Sequence, residues 1–367
     1  MLAVTGMGMV SALGLDVEGS CAASRAGILR ISTVDEVPVY DEQAQQTEPA
    51  RGHTVPMVSE GFTGLGRLTA LACAGLRDLG RHTPWEGGSR CGLQLALSND
   101  FHRRLLEEKG QLPSRHGARL AEYTQRLIPN LFKTIGVRES PGECHVLFGE
   151  SGLLQALKAA VIQIETGRLD RCIVGAVDSL VEPQVVTALG QLGLLRTPAN
   201  PVGILPGEAA AFVMLERPEA ASRRGAVVDA LLEAPSLKAE PFHRRSGQHA
   251  QGRALSQSIF ETLDAVRDRG AHTGLIVGAL NGDAYRAQDW GNALVQLRMA
   301  GRLTDLREWH PAASFGELGA ATGLVGLCMA ARGFSRGYAR TDHVLVWTAG
   351  DDGARGAFYV HAPGSRA

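Results

Sequence analysis

Aromatic residues are scarce in this chain, at 5% of 367 positions, and neither sign of charge prevails: 37 Lys and Arg stand against 38 Asp and Glu. A formal net charge of −1 excludes the broad electrostatic footprint of a nucleic-acid or membrane-surface binder. No segment holds eighteen uninterrupted apolar residues, and no charged leader precedes a long apolar run, so neither a membrane span nor a secretory signal is expected. The six cysteines (Cys21, Cys73, Cys91, Cys144, Cys172 and Cys328) show no C-x-x-C spacing. That excludes a zinc pattern or a disulfide framework and suits a reducing cytoplasm. Most of them lie in apolar stretches and are expected to be buried thiols. The expectation is a cytoplasmic protein without metal, cofactor, membrane or nucleic-acid partner.

What the chain does have is small residues, 45 of them glycine, and 44% hydrophobic residues, enough for a large core. Apolar runs predict strands at Leu2–Val10, Cys91–Ser98, Arg171–Val177 and Ala209–Glu216, then at Val227–Leu232, Thr273–Leu280, Val344–Thr348 and Ala357–His361. Helical patterns lie between them at Val17–Ala26, Leu68–Leu79, His116–Leu127, Gly152–Thr166, Gln251–Asp268, Ala287–Met299 and Gly319–Ala331. This alternation predicts an α/β protein with parallel sheets covered on both faces. The pattern restarts near Gly225, which divides the chain into halves at 1–225 and 226–367. Residues 101–140 read as a helical excursion over the edge of the first sheet. Asp35–Val58, with Pro38, Pro49 and Pro56, reads as a surface loop. Two arginine clusters, His102-Arg103-Arg104 and His243-Arg244-Arg245, read as solvated charge or as a patch for an anionic partner.

Four stretches, in chain order, carry a resemblance: Val4–Gly14 (VTGMGMVSALG), Gly167–Ser179 (GRLDRCIVGAVDS), Pro206–Ala226 (PGEAAAFVMLERPEAASRRGA), and Gly319–Gly323 (GAATG) with the helix that follows. Together they resemble the β-ketoacyl synthases of the thiolase-like superfamily. The resemblance implies a thiolase-like, five-layered α-β-α-β-α fold made of two similar halves. It also implies a cysteine at the start of a buried helix and two histidines on loops of the second half. In that chemistry a helix N-terminus lowers the thiol pKa, and the imidazoles donate to developing negative charge.

This sequence departs from that set at each position. At the expected nucleophile it reads Gly149-Glu150-Ser151, at the first histidine Leu280-Asn281-Gly282-Asp283, and at the second Gly316-Glu317. Cys144 falls too far upstream to replace the sulfur, and His310 is displaced by about six residues from the second imidazole position. Glu150 and Ser151 are expected to cap the helix, and Asn281-Gly282-Asp283 has turn chemistry. Acids arrive instead: Glu150, Asp283, Glu317, Asp351 and Asp352. Gathered in one cavity, they would raise each other's pKa, bind a divalent cation, or recruit a cationic group.

Groups that act as a unit do not contribute independently, so losing all three leaves little acceleration. The resemblance therefore implies a ketosynthase-like body that does not condense, serving as an accessory or interaction protein beside a synthase or a secretion effector. The alternatives are a chain-length-factor-like subunit of a heterodimeric ketosynthase, or a repurposed acyl-thioester hydrolase or acyltransferase. The implied partners are a second copy in a homodimer, a ketosynthase, an acyl carrier protein or a secretion effector. Arg171–Val177 and Gly152–Thr166 are expected nearest the dimer interface.

Overall fold

A computed structural model describes residues 1–41, 44–85, 90–137, 141–266, 274–303 and 306–364. The chain builds one strand pattern twice. The first set of elements opens with β1 (Leu2–Ser11), α1 (Val17–Arg25), β2 (Ser32–Asp41), β3 (Gln46–Gly52), α2 (Pro56–Ser59), α3 (Gly64–His82) and β4 (Cys91–Leu97). It continues through α4 (Phe101–Glu108), α5 (His116–Ile135), β5 (Glu143–Phe148), α6 (Gly149–Glu165), β6 (Arg171–Ser179), α7 (Pro183–Gln191), β7 (Glu208–Glu216) and α8 (Pro218–Arg223). The second set is β8 (Ala230–Ala239), α9 (Arg253–Val266), β9 (Leu275–Gly278), α10 (Ala284–Met299), β10 (Arg307–Trp309), α11 (Ala312–Phe315), α12 (Thr322–Ser335), β11 (His343–Ala349) and β12 (Ala354–His361).

Ten strands form one mixed sheet in the order β10-β9-β11-β12-β8-β1-β7-β6-β4-β5. β4 runs parallel to β5 and β6, while β7 is antiparallel to both β6 and β1. The second set repeats those senses: β9 is parallel to β10 and β11, and β12 is antiparallel to β11 and β8. The two sets join where β1 meets β8 over three residue pairs, Leu2↔Leu232, Ala3↔Leu231 and Val4↔Ala230. The sheet is thus mixed rather than parallel. β12 returns beside β11 through the short loop Gly350–Gly353, and a direct return of that kind makes an antiparallel neighbour.

Side chains alternate across each strand, and this sorts the core into layers. On β6, Cys172, Val174 and Ala176 face a central cluster that also holds Leu153, Leu154 and Leu157 of α6 and Leu324, Val325 and Cys328 of α12. Val344 and Val346 of β11 reach the same cluster from the other side. Ile173 and Val177 face outward instead, onto Leu71, Leu76 and Leu79 of α3 and Leu127 and Leu131 of α5. Leu345 and Trp347 pack outward on Leu255 and Ile259 of α9 and Trp290 of α10. The result is five layers, with α6 and α12 in the middle and helix pairs outside each half of the sheet. Each fully buried Leu contributes roughly 1.5–3 kcal/mol.

The expected loop at 35–58 is instead the hairpin β2–β3, paired from Ser32↔Gly52 to Asp41↔Gln46. Pro38 and Pro49 stand opposite each other, a position a two-stranded edge tolerates because no ladder bond is lost there. The hairpin buries Val34, Val37 and Ala50 against Val186, Leu189 and Ile204. The helical excursion at 101–140 is present as α4 and α5, with residues 138–140 outside the described ones. Residues 267–268 of the expected helix Gln251–Asp268, and Thr273 of the expected strand, also lie outside them. β6 sits inside the sheet between β4 and β7 with every residue buried; the free edge beside α6 is β5. No described helix is long and apolar enough to cross a membrane. Five of the cysteines are buried and Cys144 is partly so.

Candidate functional site

Parallel strands deliver their C-terminal ends to one side of a sheet, where α/β proteins place their chemistry. Here β4 delivers Ser98–His102, β5 the start of α6, β6 Ser179, β9 Asn281, and β11 Asp351 and Asp352. These residues surround a space of about 40 Å³, room for a few water molecules.

Gly149 opens α6 with φ +71°, and a β-carbon there would stand 2.6 Å from Asn99 Nδ2. No side chain fits at Gly149 while Asn99 stays in place, where it donates to Asp352 Oδ2 at 3.1 Å. Glu150 is the next residue and turns inward. Burial, reinforced by the charges of Asp352 and Glu317 and only partly opposed by Arg286, raises its carboxyl well above the usual range. Ser151 does not cap the helix. Its hydroxyl donates to the Phe148 carbonyl at 3.3 Å, and α6 has no side-chain cap.

Gly316 has φ +74°, and a β-carbon would meet the carbonyl oxygens of Leu205 and Pro206 at 2.9 Å. The backbone there bridges Pro206 to Glu317, so Glu317 alone of this pair sends a side chain inward. Its Oε1 accepts from the Gly319 amide at 2.9 Å, and its Oε2 from Arg286 Nη1 at 2.9 Å. Asn281 lines the space; its Oδ1 accepts from the Asp283 amide at 3.2 Å, while its buried Nδ2 has no partner among the described residues. Asp283 caps α10 by accepting from the Arg286 amide at 3.0 Å and pairs with Arg244.

The organising cation is Arg286, which the sequence reading missed. It is 5% exposed and spans Glu317, Asp351 (3.2 Å) and the Ala279 carbonyl (3.3 Å). Burial would lower its pKa, but the carboxylates of Glu317 and Asp351 outweigh burial and raise it. Burial alone would likewise raise Asp351, yet the hydrogen bond from His102 and the charges of Arg286 and Arg244 hold it well below the carboxylate range. His102 Nε2 lies 3.2 Å from Asp351 Oδ2, and Arg244 Nε lies 3.4 Å from the same oxygen. The two arginine clusters are therefore not simply solvated: each sends one member inward to Asp351. Asp178, beneath the Gly319 turn, accepts from the Ala320 and Ser179 amides at 2.9 and 2.8 Å. Burial nonetheless raises its carboxyl to about 7.

The acids do gather, but the cation they hold is the protein's own. Among the described residues no group of three or more His, Cys, Asp or Glu is arranged to hold a metal. No cysteine lines the space. Burial raises the Cys144 thiol to about 11. His310 stands elsewhere, its Nδ1 3.2 Å from the Gly278 carbonyl. The signal for Arg286 was present in the sequence: it shares a helical face with Trp290, Ala293 and Leu297, all buried.

The family model of the β-ketoacyl synthase N-terminal domain matches residues 150–221, the segment from α6 through β7 into α8. A comparison with curated proteins finds no match. Among solved structures, the chain is similar to a protein described as the ishigamide ketosynthase/chain length factor. That match has TM-score 0.76 and 18% identity, and covers 99% of each chain. It is also similar to a chain of the complex described as a type II PKS acyl-carrier protein in complex with its ketosynthase bound to the hexaketide (TM-score 0.74, 16% identity, 98% of this chain and 99% of that one). An oxazolomycin ketosynthase domain from Streptomyces albus JA3453 matches with TM-score 0.74 and 14% identity, over 100% of this chain and 74% of that one. The chain carries the thiolase-like fold of the β-ketoacyl synthases.

Proposed function

We propose that this protein is a non-condensing ketosynthase-like subunit that acts as the companion of a condensing enzyme, in the manner of a chain-length factor. The observation that carries this reading is the Arg286–Glu317–Asp351 network at the mouth of α6. A thioester condensation needs a thiolate, room for an acyl chain and donors aimed at the developing oxyanion. This site offers Gly149 with Asn99 against it, space for a few waters, and Asn281 and Glu317 at the two positions where the family's imidazoles are expected. Two of the similar solved structures are described as a ketosynthase/chain length factor and as a ketosynthase with its acyl-carrier protein, which supports a synthase or a carrier protein as the partner. The division into halves at 225/226 is part of the same proposal, as is a cytoplasmic location. The repeated strand pattern supports the division.

The test is intact-mass analysis after incubation with acetyl- and malonyl-thioesters, alongside native mass spectrometry with a cysteine-bearing ketosynthase from the same organism. The expected result is no acyl adduct, no carbon dioxide release and a one-to-one heterodimer. A covalent acyl adduct on the wild-type chain would overturn the reading.

A second reading rests on His102. An imidazole oriented by an ionised, buried carboxylate is the arrangement of a general base, and His102 with Asp351 has it. Under that reading the protein hydrolyses small acyl thioesters. The wild type would then show turnover that disappears in His102→Gln, whereas rates equal to buffer in both remove it.

A further inference from the structure

We infer that the protein holds a small-molecule site, for an aromatic carboxylate, in a pocket between α1, β10 and the end of α12. The pocket has a volume of about 320 Å³, within the size of small-ligand sites. Its walls are the rings of Trp309 and Tyr338, whose centroids are 5.6 Å apart at 42°. Cys21 and Met329, both buried, form the floor.

Three observations set the ligand's chemistry. The first is the aromatic wall, which favours a flat ring by offset or edge contact. The second is charge at the mouth. The Arg25 guanidinium lies 5.4 Å from the Tyr338 ring centre, is exposed, and has no carboxylate within ion-pair distance among the described residues. Arg332 and Arg336 also act on the Tyr338 phenol, and among the described residues only Arg332 of the three has a carboxylate partner, Glu18 at 3.0 Å. A guanidinium without a carboxylate, beside an aromatic wall, matches a planar anion.

The third is that the acid in the pocket is already engaged. Glu308 Oε2 accepts from Trp290 Nε1 at 3.2 Å and lies 3.4 Å from His310 Nε2. Glu308 is turned to those partners and not to Arg25, which leaves the guanidinium as the charge at the mouth. His310 is engaged at both ring nitrogens, Nδ1 by the Gly278 carbonyl and Nε2 by Glu308. The expected ligand is a single ring with a carboxylate toward Arg25.

The probe is 4-hydroxycinnamate, with its neutral amide as control, followed by saturation-transfer NMR and by quenching of tryptophan emission. Binding in the sub-millimolar range is expected for the acid, with at least fivefold weaker binding for the amide. Arg25→Gln, on an exposed helix end, should weaken the acid by at least fivefold at unchanged melting temperature. Ala313→Trp, which fills the pocket from its exposed rim, should abolish binding. Absence of saturation transfer to the acid at 1 mM, equal binding of acid and amide, or unchanged binding in both variants would overturn the assignment. The readout is independent of any condensing partner.

Discussion

The guanidinium of Arg286 meets the carboxylate of Glu317 at 2.9 Å inside the fold, with each side chain about 5% exposed. An ion pair that deep stabilises little against an apolar alternative, but breaking it by removing one partner costs about 3–5 kcal/mol. Arg286→Met should therefore lower stability by about that amount in urea unfolding, because Glu317 and Asp351 both lose their shared cation. The double variant Arg286→Met/Glu317→Gln should recover part of the loss. Additive losses in that cycle would show that the pair is not coupled.

Restoring a thiol at the head of α6 should not restore chemistry. Gly149→Cys places a β-carbon against Asn99 at a positive φ, a cost of about 1–3 kcal/mol. The expected variant is less stable and takes no acyl group from a thioester, as intact-mass measurement would reveal. Adding Asn99→Gly should return part of the stability by removing the clash.

Stability should depend on pH in two windows of opposite slope. The folded pKa of Asp178 is raised to about 7, so its contribution is complete below about pH 4, near its unfolded value, and fades as pH rises toward 7. Asp351 is depressed, so its contribution is present above about pH 4 and is lost on further acidification. Urea midpoints across pH 3–9 should fall between about pH 4 and about pH 7, and Asp178→Asn should flatten that limb. A limb unchanged in Asp178→Asn would assign the slope to Glu150 instead.

Glu208 is fully buried and gathers five donors from four residues: the Val55 amide at 2.7 Å, the Ser59 hydroxyl at 2.6 Å, the Ser179 hydroxyl at 2.8 Å, and Arg67 through Nε at 2.7 Å and Nη2 at 3.0 Å. It ties α2 and α3 to the sheet. Glu208→Gln keeps the shape but loses the charge opposite Arg67, and should cost about 3 kcal/mol or more. Arg67→Met/Glu208→Gln should cost less than the sum of the two single changes.

The scaffold was legible because its signals are local and repeated. The apolar runs at Leu2–Val10 and Arg171–Val177 are strands at nearly those bounds, and the helix after Glu150 follows from its apolar spacing. The short edge strands β5 and β10 were less legible, since a strand half-covered on one side needs little apolar sequence. The hairpin at 32–52 was hidden by its prolines, which signal a loop unless the pairing is known. At the site, the positions of Gly149, Glu150, Asn281 and Glu317 could be marked from motif spacing. Partners such as Asn99, His102 and Arg244 could not, because they come from two separate segments that only the folded sheet brings beside Asp351 and Asp352.

The seam between β1 and β8 spans just three residue pairs, while the middle layer draws on both sides of the chain at once. Cys172 and Val174 of one half share their apolar neighbours with Val344 and Val346 of the other. Severing the chain near Gly225 would leave each piece with a greasy inner surface and nothing to cover it. The two fragments should aggregate when made separately and reassemble only when made together, so the duplicated architecture behaves as one obligate folding unit.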